Sequence, residues 1–283
     1  MRLGQLLLGA ASLLLVLLTA FSLTLPAPLW WLLPVGLLVL YQGVIVWGVL
    51  DLRLSMFVRS TCRLPTQDRV IALTFDDGPD PISTPLVLDA LREAEVKATF
   101  FVIGHKVERY PEIIKRIAEE GHLLALHSYQ HQLHYSFLAP QVVRADIEHC
   151  KQLLANCGVS CSNYFRPPVG QASPRTGLGI HLGQVECIGW SVRGGDGVAR
   201  RSTGSCVTRV ETGLAPGAIV LLHDAWHNVC LDDARKGARS PESDLACSPA
   251  GVRGLPQILA TMRKLGYRAV RLDEGLALGQ GPA

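Results

Sequence analysis

Charged side chains are almost absent from the first 50 residues of this 283-residue chain, where Arg2 is the only one. All 24 Asp and Glu residues, and every other Lys and Arg, lie after residue 50. The chain averages of 18% charged and 48% hydrophobic residues therefore combine a nearly uncharged segment with a domain of ordinary charge density. This composition excludes a disordered chain and a collagen-like repeat, and it predicts a membrane segment followed by a soluble domain.

Long basic runs are also missing from the sequence. The net charge is only +3, and no stretch of five consecutive Lys or Arg residues occurs. A strong nucleic-acid-binding surface is not expected, because binding to the phosphate backbone depends on clustered positive charge.

The eight cysteines contain no C-x-x-C pair. Cys157 and Cys161 are separated by three residues, but no second pair follows at the spacing of a zinc ribbon. We therefore expect free, mostly buried thiols, as in a reducing compartment, rather than disulfides or a structural zinc site.

Two long apolar runs occupy residues 3–25 and 29–50, with Pro26-Ala27-Pro28 between them. At ~1.5 Å per residue each run would form a helix of roughly 33–35 Å, enough for the ~30 Å hydrocarbon core of a bilayer. We predict a two-span transmembrane hairpin over residues 1–50. The alternatives are a cleaved signal peptide followed by one anchor, and an anchor that lies in the membrane plane.

Arginines flank the two apolar runs. Arg2 precedes the first run, the loop between the runs has no charge, and Arg53, Arg59 and Arg63 follow the second. Under the positive-inside rule both ends of the hairpin face the cytoplasm. The expected location is therefore the cell (inner) membrane, with two passes and the soluble domain on the cytoplasmic side.

From Val70 onward short apolar runs alternate with helical patterns at least five times. This alternation is typical of an α/β protein with a parallel sheet or a (β/α) barrel. Polar side chains follow the predicted strand ends: Asp76, Asp77, His127, Arg166, Asp196 and His223. Strand ends of a barrel meet on one face, so these side chains are expected to form one site.

The expected domain organisation has four parts. These are the hairpin over residues 1–50, a juxtamembrane linker over 51–69, a catalytic domain over 70–273 and a tail over 274–283. The polar stretch 225–251 is predicted to be a loop or lid. His227, Asp232 and Asp233 within it are expected to be solvated, with contact to the substrate as the alternative. Five further histidines are interpreted as structural: His105, His122, His134, His149 and His181.

A possible metal site is indicated by two carboxylates and two histidines. His127 and His131 are four positions apart, a spacing that places two imidazoles on one helical turn and lets them bind one divalent ion. Asp76 and Asp77 repel each other and need a metal or an arginine nearby. Two histidines and one carboxylate suit zinc and also non-haem iron. An ordinary turn at the aspartates and a surface helix at the histidines remain alternatives.

Four motifs, in this order, resemble those of the polysaccharide deacetylase family (carbohydrate esterase family 4, the NodB-homology domain). They are Thr74-Phe75-Asp76-Asp77-Gly78-Pro79, His127-x3-His131, Arg166-Pro167-Pro168-Val169-Gly170 and Leu221-Leu222-His223-Asp224. The resemblance covers residues 70–273. It implies a distorted (β/α) barrel of the NodB-homology type and metal-dependent removal of an N-acyl group from an amino sugar.

The resemblance implies that Asp77, His127 and His131 hold one divalent metal ion. Zn²⁺ is expected first, with Co²⁺, Mn²⁺, Ni²⁺ and Fe²⁺ as alternatives, and the ion would activate a water and polarise the amide carbonyl. Asp76 would be the general base, and Arg166 would keep it ionised and oriented.

The remaining implied roles concern the leaving group and the acyl pocket. His223 would be the general acid for the sugar amine, and Asp196 would raise its pKa. The backbone N–H of Val169 would stabilise the oxyanion. Leu221 would line the acyl pocket, and Trp190 would either form its wall or belong to the core.

The sequence departs from the family pattern at two motifs. Val169 stands where the family usually has Tyr. The fourth motif reads Arg193-Gly194-Gly195-Asp196-Gly197, where the family usually has Asp-x-x-Asp-Trp. An arginine at the mouth of a site is suited to a phosphate or carboxylate, so Arg193 is either a substrate-binding residue or a solvated loop residue.

The expected function is that of a membrane-anchored hydrolase, a carbohydrate N-deacetylase acting on a glycan or a polyprenyl-linked saccharide. Its expected partners are that saccharide and the lipid bilayer, and no nucleic acid. A deformylase of a lipid-linked amino sugar is the close alternative. A non-catalytic glycan-binding domain and a non-haem iron oxygenase are the alternatives from other classes.

Overall fold

The computed structural model of the protein describes residues 3–198, 201–227 and 245–279. It begins with two long helices, α1 (Leu3–Ser22) and α2 (Leu29–Leu50), which pack against each other as a hairpin. Both are long and apolar enough to cross a membrane, and the residues of 4–22 and 29–50 are exposed or half-buried except Gly4, Ser22 and Gly48, which are buried. This is the geometry expected of the predicted hairpin, since apolar side chains that face outward need an apolar surrounding.

Nine parallel strands form a single sheet. They are β1 (Ser60–Thr61), β2 (Val70–Asp76), β3 (Thr99–Val102), β4 (Leu123–Leu126), β5 (Tyr164–Phe165), β6 (Glu186–Ile188), β7 (Val192–Arg193), β8 (Ile219–His223) and β9 (Arg268–Val270). Their order is β1-β6-β5-β4-β3-β2-β8-β7, and β9 pairs with the first part of β2. Among the described strands β1 and β7 are not paired with each other, so the sheet curls into an incomplete barrel. The expected parallel α/β class is confirmed.

Helices cover the outside of the curled sheet. They are α3 (Ser83–Glu93), α4 (Gly104–Arg109), α5 (Pro111–Glu119), α6 (Pro140–Asn156), α7 (Pro174–Leu182), α8 (Thr203–Gly213), α9 (Ala250–Lys264) and α10 (Leu272–Ala277). Alternate residues of β2 divide between two clusters: Ile71 and Leu73 pack with the helices, while Val70 and Ala72 pack in the barrel interior. This alternation follows from the two-residue period of a strand.

Residues 51–69 are part of the folded domain. Leu52 and Leu54 are buried in a short 3₁₀ turn, and β1 pairs with β6. At the other end α10 continues past residue 273, and Leu276 packs against the interior cluster. Residues on both sides of the 70–273 range therefore pack against the sheet.

The end of α2 is fixed to the domain that contains the sheet by direct contacts. The Ala172 N–H donates a hydrogen bond of 3.0 Å to the Val49 carbonyl oxygen. Gly48 lies against the Met56 side chain, at a position where a Cβ would collide with the sulfur. The hairpin thus meets the domain beside the loop that follows β5.

Candidate active site

The carboxyl ends of four strands meet around one cavity of about 300 Å³. Asp76 ends β2 and is paired in register with His223 at the end of β8. His127 follows β4, and Arg166 follows β5. Because neighbouring parallel strands end at the same edge, side chains distant in sequence lie side by side here, as the pattern of polar strand ends predicts.

Asp77, His127 and His131 form a compact buried group at this edge. The Asp77 Oδ1 atom lies 3.5 Å from His127 Nε2 and 3.6 Å from His131 Nε2. Asp77 Oδ1 and His131 Nδ1 are buried without a hydrogen-bond partner. Buried polar atoms without hydrogen-bond partners are rare in folded proteins. A cation bound to this group would give Asp77 Oδ1 a partner, and one carboxylate with two imidazoles is a common set of metal ligands.

The His127 ring is held in one tautomer by the strand beside it. Its Nδ1 lies 2.7 Å from the Arg166 carbonyl oxygen. A carbonyl only accepts, so Nδ1 carries a hydrogen, and Nε2 is the ring atom that faces Asp77, 3.5 Å from its Oδ1. This is the usual support of a metal-binding histidine.

The expected helical turn at His127 and His131 is wrong. Residues 127–131 form a loop in which Ser128 (φ 63°) and His131 (φ 49°) have left-handed backbone. The Asp146 carboxylate on α6 accepts the Tyr129 N–H at 3.1 Å and fixes this loop. The two imidazole centroids nevertheless lie 4.8 Å apart. Left-handed non-glycine residues are costly and concentrate at functional sites.

The pKa values of Asp77 and His131 suit a cation site, whereas the Asp76 and Asp77 carboxylates outweigh burial and raise the pKa of His127, so a cation would replace the proton on its Nε2. Burial by itself raises the pKa of Asp77, but His127 and the positive field of His223 together hold it well below its ordinary value. Burial, with the charge of His127, lowers the pKa of His131 to about 3. An ionised carboxylate and a neutral imidazole are the forms that bind metals.

Arg166 is completely buried and fixes the position of Asp76. Its Nη1 donates to Asp76 Oδ1 at 2.6 Å and to Thr74 Oγ1 at 2.9 Å, and its Nη2 donates to the Gly189 carbonyl at 3.0 Å. The guanidinium also lies 4.0 Å from the centre of the Phe101 ring. Asp76 consequently has a single orientation, with its second oxygen 3.8 Å from His127 Nε2.

Replacing Arg166 with Met should lower the free energy of unfolding by about 3–5 kcal/mol, because it leaves the Asp76 charge buried without its partner. Thermal and denaturant unfolding in detergent would measure this. Exposed Arg175, which donates only to the Phe137 carbonyl, provides the matched control Arg175→Met. A similar loss for both variants would contradict the importance of the buried pair.

His223 and Asp196 form a second fixed pair across the cavity. His223 Nδ1 lies 3.0 Å from Asp196 Oδ1, and the His223 backbone N–H donates to Asp196 Oδ2 at 2.8 Å. Burial opposes protonation of the imidazole, but the Asp196 charge outweighs it and raises the pKa of His223 to about 10. The ring lies against Gly197, where a Cβ would be 2.9 Å from His223 Cε1. The departure from Trp at this position thus leaves room for the ring.

One wall of the cavity is formed by the loop after β5. Val169 has left-handed backbone (φ 58°), and its side chain is exposed at the cavity mouth. Trp190 lies directly over Gly170, whose φ of +68° and lack of a side chain permit this approach. Leu221 is buried and lines the cavity, and Arg193 reaches its rim. The structure therefore brings all eleven residues singled out from the sequence together, with Arg166 and Asp196 buried behind the cavity.

Two further residues lie at the site: for His227 the sequence favours a solvated loop and leaves contact with the substrate as the alternative, and Lys106 is not singled out. His227 lines the cavity rather than a solvated loop: its Nδ1 is 3.9 Å from Asp77 Oδ2, and its ring centroid is 4.7 Å from that of His131. Buried Lys106 donates to the Asp77 carbonyl at 2.8 Å and to the Trp226 carbonyl at 2.7 Å. The sequence feature that could have placed His227 at the site is its position four residues after His223. No feature of the sequence around Lys106 indicates a position at the site.

Other expectations concern residues away from the chemistry. The seven cysteines within the described ranges are free thiols. His122 is buried, accepts the Ala98 N–H at 3.1 Å and has its pKa lowered to about 4 by burial, as expected of a structural histidine. Asp232, Asp233 and most of the 225–251 stretch lie outside the described residues.

Comparison with known proteins identifies the family. The family model described as polysaccharide deacetylase matches residues 63–182. A peptidoglycan-N-acetylglucosamine deacetylase of Bacillus cereus is 33% identical over 215 residues, which are 76% of this chain and 91% of that protein. The chain belongs to the polysaccharide deacetylase family. The resemblance carried by the four motifs is confirmed, as is the expected class of hydrolase acting on carbon–nitrogen bonds.

Two further relatives extend the comparison. A chitooligosaccharide deacetylase of Bradyrhizobium sp. is 32% identical over 200 residues, 70% of this chain and 87% of that protein. The solved structure of BA3943, a CE4 family pseudoenzyme from Bacillus anthracis, has a TM-score of 0.63 at 22% identity and covers 77% of this chain and 68% of that one. This second likeness shows the shared polysaccharide deacetylase fold alone, so activity has to be argued from the residues of the site.

Proposed function

We propose that the protein is a divalent-metal-dependent N-deacetylase that removes the N-acetyl group from an amino sugar in a glycan or lipid-linked saccharide. The observation that carries this proposal is the buried Asp77-His127-His131 group, set in one cavity with the Asp76–Arg166 and His223–Asp196 pairs. The substrate class is supported by the relatives, which are named as deacetylases of peptidoglycan N-acetylglucosamine and of chitooligosaccharide.

The residues present fit a metal ion. Asp77, His127 and His131 offer one charged oxygen and two nitrogens, a set that suits Zn²⁺ and also accepts Co²⁺, Mn²⁺, Ni²⁺ or Fe²⁺. When bound there, a divalent ion supplies Lewis acidity to the amide carbonyl and to the attacking water. Every other group that the reaction needs comes from the chain.

The two fixed pairs supply the proton transfers. Asp76, oriented by Arg166, accepts the proton of the attacking water. His223, held protonated by Asp196, donates a proton to the sugar nitrogen as the amide bond breaks, because an unprotonated amine is a poor leaving group. The Val169 N–H stabilises the negative charge on the carbonyl oxygen.

The apolar part of the cavity lining is available for the acyl group. Leu221 and Trp190 both line the cavity, and in the proposed reaction they contact the acyl methyl group.

The proposal is tested by acetate release from chitotetraose and peptidoglycan fragments, using the full-length protein in detergent. Chelation should abolish release and added Zn²⁺ should restore it. Formate release from N-formyl sugars alone would identify a deformylase. Saccharide binding by the metal-loaded protein without any release would identify a non-catalytic glycan-binding domain.

Replacing Asp196 with Asn should move the alkaline limb of the kcat profile to lower pH. His223 acts in its protonated form, so kcat falls as the pH rises through its pKa. Without the Asp196 charge that pKa is lower, and the fall begins earlier. Surface variant Glu148→Gln is the control. An unchanged alkaline limb would remove His223 from the role of general acid.

We also propose that α1 and α2 span the cell membrane with the catalytic domain on the cytoplasmic side. The support is the apolar, outward-facing hairpin and the arginines that follow it. Labelling of single introduced cysteines with a membrane-impermeant reagent tests the side. Labelling of the catalytic domain in intact cells would place it outside.

A further inference from the structure

A second cavity, of about 420 Å³, separates the end of α2 from the catalytic domain. Its walls come from both parts: Trp47, Leu50, Asp51, Leu52 and Arg53 from the hairpin side, and Gly170, Trp190, Ser191 and Arg193 from the domain. Gly170, Trp190 and Arg193 also line the catalytic cavity. We call this second space the hairpin cleft. It adjoins the catalytic cavity at these three residues.

The two walls of the hairpin cleft are fixed relative to each other. The Val49 carbonyl accepts the Ala172 N–H at 3.0 Å, and Gly48 packs on Met56. Leu52 is buried and contacts the position of Gly189, the residue before Trp190. The cleft is therefore a built feature of the fold.

Positive charge marks the junction between the two cavities. Arg193 is exposed and has no ion-pair partner in the described part of the chain. Arg53 is 68% exposed and pairs with Asp51 through contacts of 2.7 and 2.9 Å. Arg53 and Arg193 outnumber Asp51, so the lining of the hairpin cleft carries a net positive charge. Arg201 and Arg209 add further positive charge to the catalytic cavity beside Arg193.

Guanidinium groups at this position suit a phosphate. The planar fork of arginine binds phosphate through two parallel hydrogen bonds and remains charged at any relevant pH. Arg53 can exchange one exposed carboxylate contact for a phosphate, because surface pairs of this type contribute little free energy.

The hairpin side of the cleft adds an apolar surface. Trp47 and Leu50 are both about half exposed and belong to the last turn of α2. They continue the outward-facing apolar surface of the hairpin up to the arginines. A hydrocarbon chain on this surface would leave an attached phosphate at Arg53 and Arg193.

We infer that the hairpin cleft binds the phosphate linkage of a lipid-carried amino sugar. The sugar occupies the catalytic cavity, the phosphate contacts Arg193 and Arg53, and the first part of the lipid lies on Trp47 and Leu50. This inference rests on the N-deacetylase function proposed above.

The experiment compares three N-acetylglucosamine substrates with the full-length protein in detergent. They are chitotetraose, N-acetylglucosamine 1-phosphate, and N-acetylglucosamine linked through pyrophosphate to a synthetic farnesyl chain. The wild type should have a kcat/KM for the farnesyl substrate about 10-fold or more above that for either soluble substrate.

Matched variants test the cleft itself. Trp47→Ala and Arg53→Ala should each reduce the preference for the farnesyl substrate by about 5- to 10-fold, through the lost aromatic surface and the lost phosphate contact. Trp31→Ala, at the opposite end of α2 and equally exposed, and Arg59→Ala are the controls and should leave the preference intact.

The outcomes distinguish a failure of the cleft proposal from a failure of the proposed N-deacetylase function. Equal kcat/KM values for the three substrates, or a preference that survives Trp47→Ala and Arg53→Ala, would overturn the cleft proposal while deacetylation stands. A sugar phosphate that matches the farnesyl substrate would overturn the lipid part. No hydrolysis of any substrate by the Zn²⁺-loaded protein would instead overturn the proposed function.

Discussion

Replacing Asp76 with Asn will lower kcat for N-acetyl hydrolysis by about 10²- to 10⁴-fold, the range expected for loss of a positioned general base. Asparagine keeps the shape of the side chain and an oxygen that Arg166 can contact at the position of Asp76 Oδ1, 2.6 Å away in the native pair. It cannot take a proton from water. The rate should therefore fall. Because the buried Arg166 charge also loses its partner, thermal unfolding of the variant is measured alongside to show that it is folded at the assay temperature.

The measurement combines kcat with metal content determined by mass spectrometry. Metal content should match that of the wild type, because Asp77 and not Asp76 belongs to the compact ligand group. Asp89→Asn, on the surface of α3 and half exposed, is the control and should have wild-type kcat. If Asp76→Asn lost the metal together with activity, Asp76 would be a ligand; its second oxygen is 3.8 Å from His127 Nε2.

Replacing His131 with Ala will remove both metal binding and activity. One of three donors disappears, and the cost should exceed the roughly 10- to 100-fold loss of affinity that follows removal of an outer-shell partner. Competition with a chromogenic chelator gives the affinity of the purified protein without any assay of hydrolysis. Exposed His134, three residues along the same loop, provides the control His134→Ala.

A second measurement, the thermal midpoint of unfolding, shows whether the His131→Ala variant is folded. The His131→Ala variant should keep the thermal midpoint of the metal-free wild type, because His131 Nδ1 has no hydrogen-bond partner to lose. Unchanged metal affinity in a folded variant would contradict the ligand assignment.

The strands and the polar side chains at their ends could be predicted, because each strand is a continuous apolar run and the polar residue follows it directly in the sequence. β2 and β4 are buried on both faces and so read as uninterrupted apolar runs. The residue after such a run must lie at the edge of a parallel sheet. Asp76 and His127 could therefore be placed in one site before any contact between them was known.

The conformation around the histidines could not be predicted in the same way. A separation of four residues fits a helical turn, but here a tight loop brings the rings together. That loop depends on Asp146, which lies 17 residues beyond Tyr129 in sequence and contacts it only in the folded chain. The places of His227 beside His131 and of Lys106 beside Asp77 could not be predicted for the same reason, since these partners are distant in sequence.

The contact between Val49 and Ala172 has a consequence for how this protein can be divided and recombined. Ala172 follows the loop that holds Val169, so the last turn of α2 supports a wall of the reaction centre. A fragment that begins after residue 50 would lose this support, and it would not be a smaller copy of the whole chain. A foreign hairpin grafted at the same point would have to place a backbone carbonyl where that of Val49 lies and leave no side chain at the position of Gly48. Hairpin and barrel are thus not interchangeable modules, and changes in either must be accommodated by the other.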